Sequence, residues 1–454
     1  MNHRHMSHPR VHIETFGCQM NEYDSELVRS LLKREGFLFT DLQEAADVVL
    51  MNTCAIREQA HTRVYGHLAE LKAIKRQRPL VVGVLGCMAQ NLKKELTDSQ
   101  PLVDLIVGPD GYRQLPAMLR KAWQGLGEGD AGHQMAVDLS EYETYEGILP
   151  DRTPGINAWI AIMRGCDNFC TFCVVPYTRG RERSREPESI LHETRVLAEQ
   201  GHKQVTLLGQ NVNSYRFDGW DFARLITAVA DIPGIERVRF TSPHPKDFPL
   251  PLLEAIAHHP RICKHIHLPL QAGNDRILSL MDRTYTRREY MDLVERIRAT
   301  HRGIALTTDL ICGFCSESED EFHDTLAAVE TVRFHSAFIF KYSERKNTIA
   351  ARKYPDDVPD HVKGDRVGRL VELQRGISLA LNEARIGQIL SVLVEGDAKK
   401  SPSQWMGKTD DNLTVVWEKD QATGTTPGQL PSIRIEGATA ATLFGRETSA
   451  VTSA

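Results

Sequence analysis

Three cysteines stand within eight residues, in the run Cys166-Asp167-Asn168-Phe169-Cys170-Thr171-Phe172-Cys173. Thiolates with three and two residues between them can hold three irons of a four-iron cluster, which leaves the fourth iron open to a small molecule. A zinc site would want a fourth Cys or His nearby, and none follows before His192. Buried structural thiols or half a zinc finger are the bland alternatives, but packing alone poorly explains such density. A second set is dispersed. Cys18, Cys54 and Cys87 each close an apolar, strand-like run, at 11–16, 47–51 and 80–85. In an open parallel sheet the carboxyl ends of the strands share one edge, where ligands bind. The three cysteines can therefore meet there as a second cluster site; three unrelated buried thiols is the other reading.

These residues need a scaffold. Strands alternating with helices (25–35, 57–77) imply an open parallel α/β sheet over residues 11–127. Residues 128–154, rich in Gly, Glu and Tyr, read as a linker. From 155 to 378 a new series begins, with candidate strands at 158–164, 204–209, 237–241, 265–268, 305–312 and 336–342. Helices such as 189–200 and 289–300 lie between them, and 363–384 closes the region. Six β/α repeats suggest a partial version of the eightfold barrel, with active residues at strand C-termini. The cysteine loop follows the first of these strands. Residues 379–446 change to short strands (389–395, 413–417, 432–437, 441–445). They suggest a small β-barrel of the oligonucleotide-binding sort, or else a lid or dimerisation module. The fold class is α/β in three parts.

The composition, 25% charged and 41% hydrophobic over 454 residues, is that of a globular protein. No apolar run approaches the ~20 residues that cross a bilayer, so no membrane partner is expected. Residues 1–10 carry His and Arg without an apolar core, which is not a secretory signal; a cytoplasmic location is expected. Nine cysteines in that compartment argue for metal or catalytic use over disulfides. The net charge of −5 gives no global attraction to nucleic acid, but local runs exist. They are Arg179, Arg181, Arg183 and Arg185; Lys72, Lys75, Arg76 and Arg78; and Arg283, Arg287 and Arg288. The first adjoins the reactive centre, where a polyanionic substrate would gain from it.

The C-x-x-x-C-x-x-C spacing resembles the signature of the radical S-adenosylmethionine (SAM) superfamily. Further segments are similar to the methylthiotransferase family: Thr15-Phe16-Gly17-Cys18-Gln19-Met20-Asn21, Asn52-Thr53-Cys54-Ala55-Ile56-Arg57-Glu58 and Gly86-Cys87-Met88-Ala89-Gln90. The block from Arg164 to Arg185 resembles its tRNA-modifying branch. So do Leu208-Gly209-Gln210-Asn211-Val212-Asn213-Ser214-Tyr215, His267-Leu268-Pro269-Leu270-Gln271-Ala272-Gly273-Asn274, and Tyr342-Ser343 with Arg345. The likeness spans residues 11–445.

The resemblance implies two [4Fe-4S] clusters. One, on Cys166, Cys170 and Cys173, binds SAM and cleaves it to a 5′-deoxyadenosyl radical. The other, on Cys18, Cys54 and Cys87, holds the sulfur to be transferred. One SAM would methylate that sulfur and another supply the radical. The implied target is C2 of an N6-dimethylallyl adenosine beside the tRNA anticodon. Its C–H bond is not acidic, so base catalysis cannot open it. Phe172, Gln210, Asn211, Gln271 and Asp309 are the candidates for SAM placement, and Arg179, Arg181 and Arg183 for RNA phosphates. A flavodoxin or ferredoxin is the expected electron donor. Sister branches act on threonylcarbamoyl-adenosine in tRNA or on a ribosomal protein aspartate; a non-catalytic iron–sulfur or RNA-binding scaffold is a further alternative. Gln19-Met20-Asn21 and the stretch 174–180 favour the isopentenyl-adenosine branch. Departures from the family pattern are Cys312, Cys315 and Ser316, where it usually has an apolar residue, Pro and Gly, and Lys346-Asn347-Thr348-Ile349. The Cys312–Cys315 pair is expected to be a buried thiol pair, a redox-active pair or a tuning of the SAM pocket being the other readings, and Cys263 to be a packing residue.

Overall fold

Two largely apolar runs, Val48–Thr53 and Val81–Gly86, are buried at every residue. Strands hidden on both faces belong in the middle of a parallel sheet covered by helices. The computed structural model, which describes residues 9–55, 58–126, 133–301, 303–420 and 422–448, places them there. The N-terminal sheet comprises β1 (Arg10–Phe16), β2 (Leu38–Phe39), β3 (Val48–Thr53), β4 (Val81–Gly86), β5 (Leu105–Val107) and β6 (Gln134–Ala136). All are parallel, in the order β2-β1-β3-β4-β5-β6. β6 lies inside the stretch expected to be a linker; its three residues, Gln-Met-Ala, are too few to show a strand pattern. The same stretch buries Tyr145 and Ile148 in the core of this sheet, with Tyr145 stacked on Tyr112 at 5.7 Å. Residues 128–132 of that expected linker, residues 1–8 of the tail, and Ile56 and Arg57 lie outside the described residues.

The barrel strands fall where the periodicity put them: β7 (Asn157–Ala161), β8 (Gln204–Leu208), β9 (Arg237–Phe240), β10 (His265–His267), β11 (Ala305–Cys312) and β12 (Ser336–Lys341). They form two parallel three-stranded sheets, β9-β8-β7 and β10-β11-β12. A single bridge from Val238 to Ile262 joins them into one open arc. The outer helices are well started. Thr286 with Glu289 and Ser318 with Glu321 form reciprocal capping boxes on Arg287–Thr300 and Glu319–Val332, satisfying otherwise orphaned N–H groups.

After the long helix Asp360–Glu383 come β13 (Ile389–Ala398), β14 (Ser401–Thr409), β15 (Thr414–Glu418), β16 (Ser432–Ala438) and β17 (Leu443–Glu447). They close a five-stranded barrel in the order β13-β14-β15-β17-β16. β14 was not legible in the sequence, because Ser-Pro-Ser-Gln opens it and it buries little. This barrel docks on the N-terminal ends of the arc. Arg239 donates to the Thr409 and Asp410 carbonyls at 2.7 and 3.1 Å, Arg237 to the Ser391 carbonyl at 3.0 Å, and Asn157 to Glu395 at 2.9 Å. The C-terminal ends, where the cysteine loop sits, are left to other elements.

Candidate active site

The second cysteine set is assembled by three strand ends. β1 runs into Cys18, which precedes the helix Gln19–Arg34 in extended conformation; that helix starts well before the expected 25–35. β3 runs into Cys54, and β4 into Cys87, the first residue of the helix Cys87–Asn91. Gly86 makes the last turn at φ +87°. A Cβ there would fall 2.4 Å from Asn52 Oδ1 and 2.8 Å from the Thr53 carbonyl, so only glycine fits. Asparagines lace the ends together. Asn21 donates to Asn52 Oδ1 at 3.1 Å and to the Thr53 carbonyl at 3.2 Å; Asn52 donates to the Asn21 carbonyl at 2.9 Å and to Ser25 at 3.0 Å. Cys18 Sγ donates to Asn21 Oδ1 at 3.3 Å. The non-cysteine residues of these motifs thus align Cys18 with Cys54. A hydrogen bond with Cys54 pulls the Cys18 thiol down to about 5, aided by the charge of Arg179 and the N–H groups of Asn21 and Met20 against the opposing effect of burial. Burial pushes the Cys87 thiol up, opposed by Arg179.

The first triad sits on the loop after the short strand Met163–Arg164. Gly165 N–H donates to Gln210 Oε1 at 2.7 Å, Cys166 N–H to the Gly180 carbonyl at 3.1 Å, and Thr171 N–H to the Met281 carbonyl at 3.0 Å. Each sulfur then receives a donor. Asn168 Nδ2 reaches Cys166 Sγ at 3.6 Å, Arg283 Nη1 reaches Cys170 Sγ at 3.3 Å, and Val175 N–H reaches Cys173 Sγ at 3.5 Å. Desolvation pushes the Cys166 and Cys173 thiols up to about 11 and about 12. Among the described residues no three Cys, His, Asp or Glu side chains close on one point as a mononuclear metal would require. A cluster asks instead for one thiolate per iron, with N–H donors around the sulfurs, and both triads offer that chemistry.

The triads are neighbours. Val174, directly after Cys173, is buried with Ala55 and Cys87, and the helix Val175–Arg179 packs on Cys87–Asn91. Arg179 Nε donates to Cys87 Sγ at 3.1 Å and its Nη2 to Asp24 at 2.8 Å. Asp24, fully buried on the helix Gln19–Arg34, also takes Arg164 at 2.7 Å. Sequence reading missed this Arg164–Asp24–Arg179 bridge; the only signal was the clustering of arginines beside the cysteine loop.

The arginines expected at RNA phosphates fare differently. Arg179 and Arg183 are buried, Arg183 pairing with Asp110 at 3.0 Å, so neither faces solvent. Their charge answers carboxylates brought from the N-terminal sheet. Arg181 is exposed and pairs with Asp167 at 2.7 Å. Of the third basic run, Arg283 is buried, not solvated.

Among the SAM candidates, Phe172 packs on the barrel core, and Gln210 is spent on supporting Gly165. Asn211 donates to Glu182 at 3.1 Å and leaves a buried Oδ1 without a partner. Gln271 has φ +69°, a strained backbone for a side-chain-bearing residue, and a buried, unpartnered Oε1. Its N–H donates to the Asp309 carbonyl at 2.9 Å, while the Asp309 carboxylate faces His267 at 3.2 Å. Asn211 and Gln271 thus present acceptors to a ligand bearing N–H or O–H groups. Cys312, Cys315 and Cys263 are buried and free. The unusual loop at 346–349 docks on the N-terminal sheet, through Lys346 to Glu95 at 2.6 Å and Asn347 to Asn91 at 3.1 Å.

Three family profiles cover the chain: Uncharacterized protein family UPF0004 over residues 10–108, the Radical SAM superfamily over 160–329 and the TRAM domain over 383–447. The radical SAM methyltransferase TsrM from Kitasatospora setae, solved with cobalamin and a [4Fe-4S] cluster, shares the fold with a TM-score of 0.58 at 15% identity, over 85% of this chain and 81% of that one. The cobalamin-dependent SAM radical enzyme OxsB gives 0.52 at 13% identity, over 82% and 57%. Fold and site together define a radical SAM enzyme. Curated relatives narrow this: tRNA-2-methylthio-N(6)-dimethylallyladenosine synthase of Porphyromonas gingivalis is 45% identical, covering 98% of this chain and 96% of its own length. Those of Chlorobium phaeobacteroides and Prosthecochloris aestuarii are 44% and 45% identical, each over 96% of this chain and 97% and 98% of their own. The chain belongs to this family of radical SAM methylthiotransferases, whose cofactors are SAM and iron–sulfur clusters.

Proposed function

We propose that the chain replaces the C2 hydrogen of N6-dimethylallyladenosine in tRNA with a methylthio group. Its relatives carry that activity in their names. The observation that carries the reading here is the contact of Val174 with Cys87 and Ala55, bridged by Arg179: it brings two sulfur triads side by side. When bound, the clusters and SAM supply one-electron chemistry that opens an unactivated C–H bond, and the sulfur that replaces the hydrogen.

The chain's own residues do the positioning. Cys166, Cys170 and Cys173 would hold the SAM-binding cluster, and Cys18, Cys54 and Cys87 the sulfur-bearing one. Asn211 and Gln271 offer buried acceptors to SAM, and Asp309, on β11, accepts the Gln271 N–H at its carbonyl. Arg181, exposed beside the cysteine loop, is the one of the three arginines open to a phosphate. The C-terminal barrel, matched by the TRAM profile, suits RNA contacts away from the reacting base. No helix among the described residues is long and apolar enough to cross a membrane. The reading places the enzyme in the cytoplasm, with a flavodoxin or ferredoxin as electron donor.

The test is anaerobic reconstitution with SAM, reductant and tRNA bearing the dimethylallyl nucleoside, read by nucleoside mass spectrometry. A methylthio product is expected. Cys18→Ala should keep reductive SAM cleavage, lose the product, and fall from about eight irons to about four. Product on threonylcarbamoyl-adenosine instead would move the chain to the sister branch.

A further inference from the structure

Two buried arginines have no place in the reaction outlined above, and each ends on a cysteine sulfur. Arg283 is 9% exposed. Its partners are Tyr285 Oη at 3.0 Å, the Pro269 carbonyl at 3.4 Å and Cys170 Sγ at 3.3 Å, with the Tyr285 ring 5.0 Å beneath it. None of these is a carboxylate. Arginine cannot shed its proton in a protein, and a buried charge demands a counterion. Among the described residues no carboxylate contacts it, and the sulfur it meets, Cys170 Sγ, would carry negative charge as a ligand of the cluster. Arg179, 3% exposed, touches Cys87 Sγ at 3.1 Å, but its charge is shared with Asp24, which also serves Arg164. Each triad therefore has one cysteine sulfur in direct hydrogen-bond contact with an arginine, Cys170 with Arg283 and Cys87 with Arg179.

We propose that Arg283 and Arg179 are positioning residues that set the reduction potentials of the two centres, Arg283 through Cys170 and Arg179 through Cys87, the second moderated by Asp24. The proposal rests on the cluster assignment above. Cluster potentials follow net charge and hydrogen bonds to the sulfurs. A fixed cation against a ligand sulfur favours the reduced, more negative state. One electron enters from the reductant, and the guanidinium keeps its protons throughout. Neutralising the arginine makes its own centre harder to reduce and leaves the other nearly unmoved. Removing Asp24 unmasks charge and makes the second centre easier to reduce.

The experiment uses the full chain, reconstituted anaerobically in two backgrounds. One is Cys18→Ala, Cys54→Ala, Cys87→Ala; the other is Cys166→Ala, Cys170→Ala, Cys173→Ala. Iron content and spin-resonance-monitored dithionite titrations are the readouts. In the first background Arg283→Met should lower the reduced-to-oxidised ratio at the parent midpoint at least tenfold, which is about 59 mV for one electron. Arg283→Lys, which keeps the charge, should stay within threefold. In the second background Arg179→Met should act likewise, Arg283→Met should do nothing, and Asp24→Asn should move the ratio in the opposite direction. Unchanged potentials at full iron in the Met variants overturn the proposal. So does a tenfold fall with Arg283→Lys, which stays informative if Arg283→Met fails to fold. Parent backgrounds that bind no iron would refute the cluster assignment and the proposal with it, an outcome distinct from unchanged potentials at full iron.

Discussion

Asp24→Asn is the sharpest probe of the joint between the two triads. The carboxylate is fully buried, takes Arg164 at 2.7 Å and Arg179 at 2.8 Å, and accepts the Tyr112 hydroxyl at 3.4 Å. The amide leaves two buried guanidiniums without an anion. Breaking a buried pair by removing one partner costs about 3–5 kcal/mol. Here the lower end applies. Arg164 still lies 4.7 Å over the Tyr145 ring, Arg179 still meets Cys87 Sγ, and asparagine keeps one acceptor oxygen. A loss of about 3 kcal/mol corresponds to a midpoint lower by about 6–12 °C for a unit of 150–250 residues. Thermal unfolding of the anaerobic apo-protein would read it, with iron content after reconstitution as a second measure. Adding Arg179→Met removes one orphaned cation and should restore at least half of the loss. A midpoint within about 2 °C of the parent, or a double variant lower than Asp24→Asn by the full cost of a second broken pair, would refute the charge-compensation reasoning.

Three further outcomes follow from the geometry. Gly86→Ala drives a Cβ into Asn52 Oδ1 at a φ of +87°. It should destabilise the N-terminal sheet by about 1–3 kcal/mol and reduce iron from about eight to about four while SAM cleavage persists, as iron assay and deoxyadenosine release would show. Gln271→Ala removes a buried, unpartnered acceptor and should weaken SAM binding roughly 5- to 30-fold, for a hydrogen bond of about 1–2 kcal/mol, measured by equilibrium dialysis; an unchanged affinity would place Gln271 outside the SAM site. Burial, together with the charges of Arg283 and Lys246, pulls His244 down to about 2; burial, with Arg239 and His267, pulls His265 well down. Both stay neutral in the fold while their unfolded counterparts take up protons below about 6.5. The unfolded chain then binds more protons, so stability falls as pH drops through 6.5, by about 2 kcal/mol at pH 5 for His244, with His265 acting in the same direction. Urea midpoints at pH 7.5 and 5.0 should show the loss, and His244→Gln should shrink it.

Much of this protein was legible because its chemistry is local. The Cys166–Cys173 loop offers three candidate ligands within eight residues, and Cys18, Cys54 and Cys87 stand out by closing apolar runs that a parallel sheet can bury. Short strand-like runs with helical stretches between them put the barrel strands in place. The elements that escaped were those with little hydrophobic signal of their own. The three residues of β6 pair only because β5 offers an edge, and β14 is polar because much of it faces outward.

Sequence alone picked out the candidate iron ligands and the strand ends that carry them, since sulfur spacing and hydrophobic period act over a few residues. Tertiary structure alone decided the fate of the arginines. Arg179, Arg181, Arg183 and Arg185 look alike in the chain, yet only Arg181 is exposed. The others go to Asp24, Asp110 and Glu193. Whether a charge meets water or a buried carboxylate depends on where the remote chain returns, and no local pattern records that.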